Sequence, residues 1–190
     1  MIHHSFYTPT QRQQQPERAV VFPTQVHGSR IVTVISWAED CTATDWLYAY
    51  HGSWWVLGVK TADCAAISFV DDVGYGIIHA WWRWLVNGII PLMMDRFIDP
   101  VIQVSPLLQS FEIQRDACYE QLSKVVGDSF VAYRMVDGKE VIIFHFLAAI
   151  QSILPPTASY DRRDTAATPT LASRRRDRTS QRNVTCIGEW

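Results

Sequence analysis

The stretch AAISFVDDVGYGIIHAWWR, residues 65–83, decides how the chain is organised. Ala65 to Val70 is a β-prone apolar run. Asp71, Asp72 and Gly74 supply turn residues, and Tyr75 to Ile78 is a second strand. His79 stands where that strand meets a helical pattern, which runs from Trp82 to Ile98 with a break expected at Pro91.

Upstream, Trp54 to Val59 reads as a strand after a Gly52-Ser53 turn. Ser29 to Ser36 alternates β-branched and polar residues, as a strand after the Gly28 turn would. Ala19 to Phe22 is a short strand stopped by Pro23. Downstream, Asp116 to Val126 reads as a helix and Val141 to Phe144 as a strand. Leu147 to Leu154 reads as a short helix ended by Pro155 and Pro156.

The chain has 190 residues, of which 48% are hydrophobic and 19% charged, with a net charge of −2. That is enough apolar material for a core and argues against a mainly disordered chain. The balance gives no electrostatic case for nucleic acid or an anionic membrane. Four scattered cysteines do not make a disulfide scaffold, so reduced thiols in the cytoplasm are the expectation. The N-terminus lacks an apolar signal region. Gly76 to Met94 is the most apolar window, but His79, Arg83, Asn87 and Pro91 make it a strand end followed by a buried helix rather than a span.

Residues 1–18 read as a loose N-terminal segment and 19–156 as the domain proper. Residues 157–190 form an Arg-rich segment. From Pro155 onward there are seven basic and four acidic residues. A solvated tail, a nucleic-acid arm and a flap bringing arginines to an anionic substrate all fit that composition. The arm lacks interleaved aromatics, and apolar Val184 to Ile187 suggests a return to the domain as an edge strand.

Three short pieces carry the chemistry: Gln25-Val26-His27-Gly28, Thr61-Ala62-Asp63-Cys64 and His79-Ala80-Trp81-Trp82-Arg83. Each lies at a strand end, where a sheet can aim side chains at a common point. Two imidazoles and a thiolate suit Zn²⁺ with one coordination position open. The same residues also allow a metal-free cysteine nucleophile, Cys64, with His79 as base and Asp63 as orienter. Spacing does not choose between them. A single histidine at a strand end is more often a structural hydrogen-bonding residue, and a single cysteine a small buried hydrophobe. Their grouping is what singles them out.

Those three motifs, with Ala19-Val20-Val21-Phe22-Pro23-Thr24 and the Asp45 segment, resemble the YfiH-like family. It is also called the laccase-domain, multicopper polyphenol oxidase or peptidoglycan editing factor family. The resemblance is good over about Val20 to Ile90 and patchy to about Leu154. It implies an α+β fold of layered mixed β-sheets with flanking helices, related to the catalytic domain of cytotoxic necrotising factors. It implies a metal, zinc with copper possible, on His27, Cys64 and His79. It also implies action on purine nucleosides: phosphorolysis of adenosine, inosine, guanosine and methylthioadenosine, and deamination of adenosine. Cys64, His79 and Asp63 become the catalytic candidates, and Arg83, Arg175 and Arg176 the candidates for substrate and phosphate. Purine nucleoside and phosphate are the expected partners.

A laccase is disfavoured, because one His₂Cys site cannot hold several coppers. A cysteine hydrolase or amidase acting on peptidoglycan precursors, or an inactive relative, are the alternatives. The family's third motif reads His-Ala-Gly-Trp-Arg-Gly, and both glycines are tryptophans here, Trp81 and Trp84. Val104-Ser105-Pro106, His145 and Gln181-Arg182 also depart from the pattern. A tryptophan in place of glycine is expected to reshape or fill the pocket.

Overall fold

The computed structural model describes all residues except 15, 17, 29, 86 and 87, and leaves out the side chains of residues 12–14, 84 and 126. The strands are β1 (Ile2–Tyr7), β2 (Val20–Val21), β3 (Ile31–Thr33), β4 (Trp46–Tyr50), β5 (Val56–Thr61), β6 (Ala65–Val70) and β7 (Gly74–Ala80), then β8 (Val101–Val104), β9 (Ser110–Ile113), β10 (Val131–Val136), β11 (Lys139–His145), β12 (Ser159–Tyr160) and β13 (Asn183–Glu189). The helices are α1 (Trp82–Leu85), α2 (Ile89–Met94), α3 (Ala117–Val126), α4 (Phe146–Ile153) and α5 (Arg174–Asp177).

They form an α+β architecture of three sheets. A mixed six-stranded sheet has the order β12-β8-β6-β7-β4-β3, a four-stranded sheet β1-β13-β5-β2, and a three-stranded sheet β10-β11-β9. The six-stranded sheet is the middle layer, and the side-chain period of two shows it. On β4, Trp46 and Tyr48 join the core beneath α1, α2, α4 and the three-stranded sheet. Leu47 and Ala49 join the second core, shared with Leu57 and Val59 of β5 and Ile187 of β13. A strand covered on both faces reads as a continuous apolar run, and every residue of β7 is buried. Gly76 permits the close packing of α2, since a Cβ there would collide with the Met93 side chain.

Three expectations are corrected. Residues 1–18 are not loose throughout, because β1 pairs antiparallel with β13 from Ile2↔Glu189 to Tyr7↔Val184. The C-terminal strand is central rather than at an edge: β13 also pairs with β5, from Asn183↔Thr61 to Gly188↔Val56. It is buried because apolar clusters cover both faces. The break does not fall at Pro91: α1 ends at Leu85, and α2 starts at Ile89 after Gly88, which has φ +64°. Pro91 sits in the first turn of α2, where a helix needs no amide donor from it. Among the described residues no helix is long and apolar enough to cross a membrane.

β1 carries an inward histidine. The His4 ring is largely buried, its Nε2 has no partner among the described residues, and burial lowers its pKa from 6.5 to about 4. A neutral ring in the fold gains a proton more readily once unfolded. Its stability contribution is therefore complete above pH 6.5 and declines as pH falls toward 4. Acidification from pH 7 to 5 is expected to cost roughly 2 kcal/mol through this residue. Urea unfolding at both pH values checks this, with His4→Gln losing distinctly less than wild type. An equal loss in the two proteins would refute it.

Candidate functional site

Strand register brings the first and third motifs together. β4 pairs with β7 so that Trp46 faces Ile78, which sets Asp45 beside His79. The His79 amide donates to the Asp45 carbonyl at 2.9 Å. The imidazole Nδ1 and Asp45 Oδ1 are 2.8 Å apart, with both residues buried. With the carboxylate accepting, the ring proton sits on Nδ1 and the lone pair on Nε2.

The other oxygen of Asp45 holds the first motif. Oδ2 accepts the backbone N–H of Gly28 at 2.5 Å and that of Val26 at 3.3 Å. These amides flank His27, whose φ is +60°. A non-glycine residue there is strained by about 1 kcal/mol or more and persists only when its surroundings hold it. Asp45 supplies that hold. One buried carboxylate thus fixes the orientation of one histidine and the backbone of the other.

The two rings lie 4.8 Å apart, and His27 also meets Trp81 at 5.0 Å. His27 Nδ1 is buried and has no partner among the described residues. Burial, then the neighbouring His79, lowers the His27 pKa, with Asp45 acting in the opposite direction. His27 is therefore neutral at physiological pH, with a nitrogen lone pair available to a cation. Potential ligand atoms of His27, Asp45 and His79 lie within 4.8 Å of one another. Because both Asp45 oxygens already accept hydrogen bonds, the two imidazoles are the better donors and Asp45 the residue that orients them.

Cys64, on the turn between β5 and β6, lines the same cavity but is not part of that group of ligand atoms. Its thiol is pushed up to about 12 by burial and by Asp63 and Asp45, with Arg182 countering. Asp63, at φ +87°, ties three segments to the cavity wall. Its Oδ1 accepts the Thr165 hydroxyl at 2.7 Å, its Oδ2 the Arg175 amide at 2.8 Å, and its carbonyl the Leu108 amide at 2.9 Å.

The cavity has a volume of about 580 Å³, and its lining includes His27, His79 and Trp81 together with Lys60, Arg174, Arg175 and Arg182. Trp81 belongs to the lining of this cavity, which accords with the reshaped pocket and not the filled one of the two alternatives. The side chain of Trp84 lies outside the described residues.

The three arginines expected to meet phosphate separate. Arg175 lines the cavity with its guanidinium over Phe111, 4.5 Å from the ring centroid. Arg83 faces a second cavity, of about 430 Å³, that shares Trp81, Trp82 and Arg175 with the first. It bonds Asp116 at 2.9 Å and lies 4.7 Å from the Trp82 centroid and 5.3 Å from that of Trp81. Arg176 lines neither cavity. It donates to the carbonyls of Thr165, Thr168 and Leu171 at 2.7–2.9 Å and so braces the C-terminal segment.

Sequence reasoning did not identify the role of Asp45, nor Lys60, Arg174 and Arg182 as cavity residues. The available signal for Asp45 was an acid directly before the fully apolar run Trp46-Leu47-Tyr48-Ala49, since a carboxylate entering a core needs partners. Gln25 forms a paired contact with the backbone of Lys60, both bonds 2.9 Å, which places the first motif on β5.

The family model described as multi-copper polyphenol oxidoreductase laccase matches residues 7–132. Three solved structures share the fold. The Neisseria meningitidis protein NMB0706 is 20% identical with a TM-score of 0.78, over 93% of this chain and 77% of its own. Bacillus licheniformis YfiH is 21% identical with a TM-score of 0.72, over 90% and 74%. YlmD from Geobacillus stearothermophilus is 21% identical with a TM-score of 0.69, over 90% and 73%. Among curated proteins none matches this chain.

Proposed function

Because the chain belongs to the multi-copper polyphenol oxidoreductase laccase family, we propose that it is a metal-dependent enzyme, a transferase that cleaves purine nucleosides with phosphate and also deaminates adenosine. The observation that carries the metal is the unpartnered, buried Nδ1 of His27 beside a His79 ring oriented by Asp45. Two imidazoles suit zinc, and Cys64, which lines the same cavity but lies outside their group of ligand atoms, is the third ligand that the family resemblance implies. Zinc held there supplies Lewis acidity.

The chain's own residues divide the remaining work. Trp81 gives the purine a flat apolar wall. Lys60, Arg174, Arg175 and Arg182 offer orthophosphate a cationic rim. Asp63 holds that rim in place through the Arg175 amide. The orthophosphate oxygen bonds to C1′ while the glycosidic C–N bond breaks, and the departing base takes the proton that phosphate gives up.

A copper oxidase with several metals needs more ligand clusters than the one found among the described residues. A metal-free cysteine hydrolase is disfavoured by the Cys64 thiol, whose pKa near 12 leaves little thiolate at neutral pH.

The test is an assay of free base from adenosine, inosine and guanosine with and without orthophosphate. Phosphate-dependent release of base, lost with a chelator and restored by zinc, is the expected result. Release independent of phosphate would contradict phosphorolysis.

A further inference from the structure

We infer that the substrate carries its own phosphate: the second cavity takes the 5′-phosphate of a purine nucleotide, held between Arg83 and Arg175. This rests on the nucleoside reading above and narrows it.

The first observation is a surplus of charge. Lys60, Arg174 and Arg175 line the main cavity against a single lining carboxylate, Asp63, whose two oxygens already accept the Thr165 hydroxyl and the Arg175 amide. Orthophosphate carries between one and two negative charges near neutral pH, so a further anionic group is accommodated.

The second observation is the adjoining compartment. It shares Trp81, Trp82 and Arg175 with the main cavity and adds Arg83. One ligand can therefore set its C1′ near the histidine pair and extend a substituent past Trp81. Arg83 is held in advance, by Asp116 on one side and by the Trp81 and Trp82 rings. A guanidinium fixed before binding loses little freedom on meeting a phosphate, whose oxygens match its fork. Glu112 also borders this compartment, but it is exposed, where water and salt screen it.

Phosphorolysis of a nucleotide balances as it does for a nucleoside. An orthophosphate oxygen bonds to C1′, the C1′–N9 bond breaks with its electron pair on the purine, and the proton lost by orthophosphate goes to the base. The products are free purine and ribose 1,5-bisphosphate.

Calorimetric titration of AMP, adenosine and orthophosphate into the full chain, together with turnover of both purine compounds, decides the matter. AMP is expected to bind at least about tenfold tighter than adenosine, the scale of one charge-assisted hydrogen bond. Arg83→Gln should bring that ratio close to one, and Lys60→Gln should weaken orthophosphate instead. If Arg83→Gln does not fold, Arg175→Gln at an exposed position reads the same ratio.

Equal affinity for AMP and adenosine in wild type overturns the inference, as does a ratio that Arg83→Gln leaves unchanged. Loss of orthophosphate affinity alone in Arg83→Gln assigns the compartment to the co-substrate and also overturns it. Absence of base release from either compound overturns the nucleoside reading, while the binding ratio still decides the compartment.

Discussion

Replacing Asp45 by alanine is expected to destabilise the chain by about 3 kcal/mol or more and to reduce metal affinity by about 10–100-fold. The carboxylate accepts from the His79 ring and from two backbone amides in a buried place. Alanine leaves all three donors without a partner, at about 1–3 kcal/mol each before relaxation. It also removes the two amide bonds through which Asp45 holds the backbone on either side of His27. Urea unfolding and metal titration measure the two effects. Asp45→Asn separates them, because the amide oxygen can still accept one bond. It should recover part of the stability while the His79 ring loses its preference for protonation at Nδ1, visible in long-range ¹H–¹⁵N spectra. A stable Asp45→Ala protein with unchanged metal affinity would show that the carboxylate orients neither histidine.

The second large effect concerns the core. Trp46 follows Asp45 directly, is fully buried and belongs to the cluster under α1, α2 and α4. Trp46→Ala is expected to cost about 3–5 kcal/mol, from lost burial and the cavity left behind. For a chain of this size that lowers Tm by roughly 10 °C or more. Thermal unfolding followed by circular dichroism checks it, and a fall of only 1–2 °C would mean that the middle sheet is not packed as described.

Much of the middle sheet was legible. The run 65–83 contains β6 unchanged and β7 with slightly wider bounds, because turn residues and β-branched runs are local signals. β4 was missed because Trp46 to Ala49 has no alternation; a strand covered on both faces lacks the polar half of the pattern. β1 was missed because its inward face includes His4, a residue that reads as polar. Neither pairing of β13 is a local property, so its central position could not be read from Val184 to Ile187.

The site divides in the same way. His27, Cys64 and His79 stood out through their motifs. The hold that Asp45 exerts depends on β4 lying next to β7, a relation of strand register. The arginines misled for a related reason. Arg83, Arg175 and Arg176 are close in kind, yet one bonds Asp116, one faces the main cavity, and one is spent on backbone carbonyls.

In the function proposed above, His27 and His79 hold one metal ion together. Elemental analysis of the purified wild type, His27→Ala and His79→Ala, each verified as folded by far-ultraviolet circular dichroism, tests it directly. About one equivalent of metal per chain is expected in wild type and less than about a tenth in either variant. Undiminished metal in a folded His27→Ala or His79→Ala protein would contradict it.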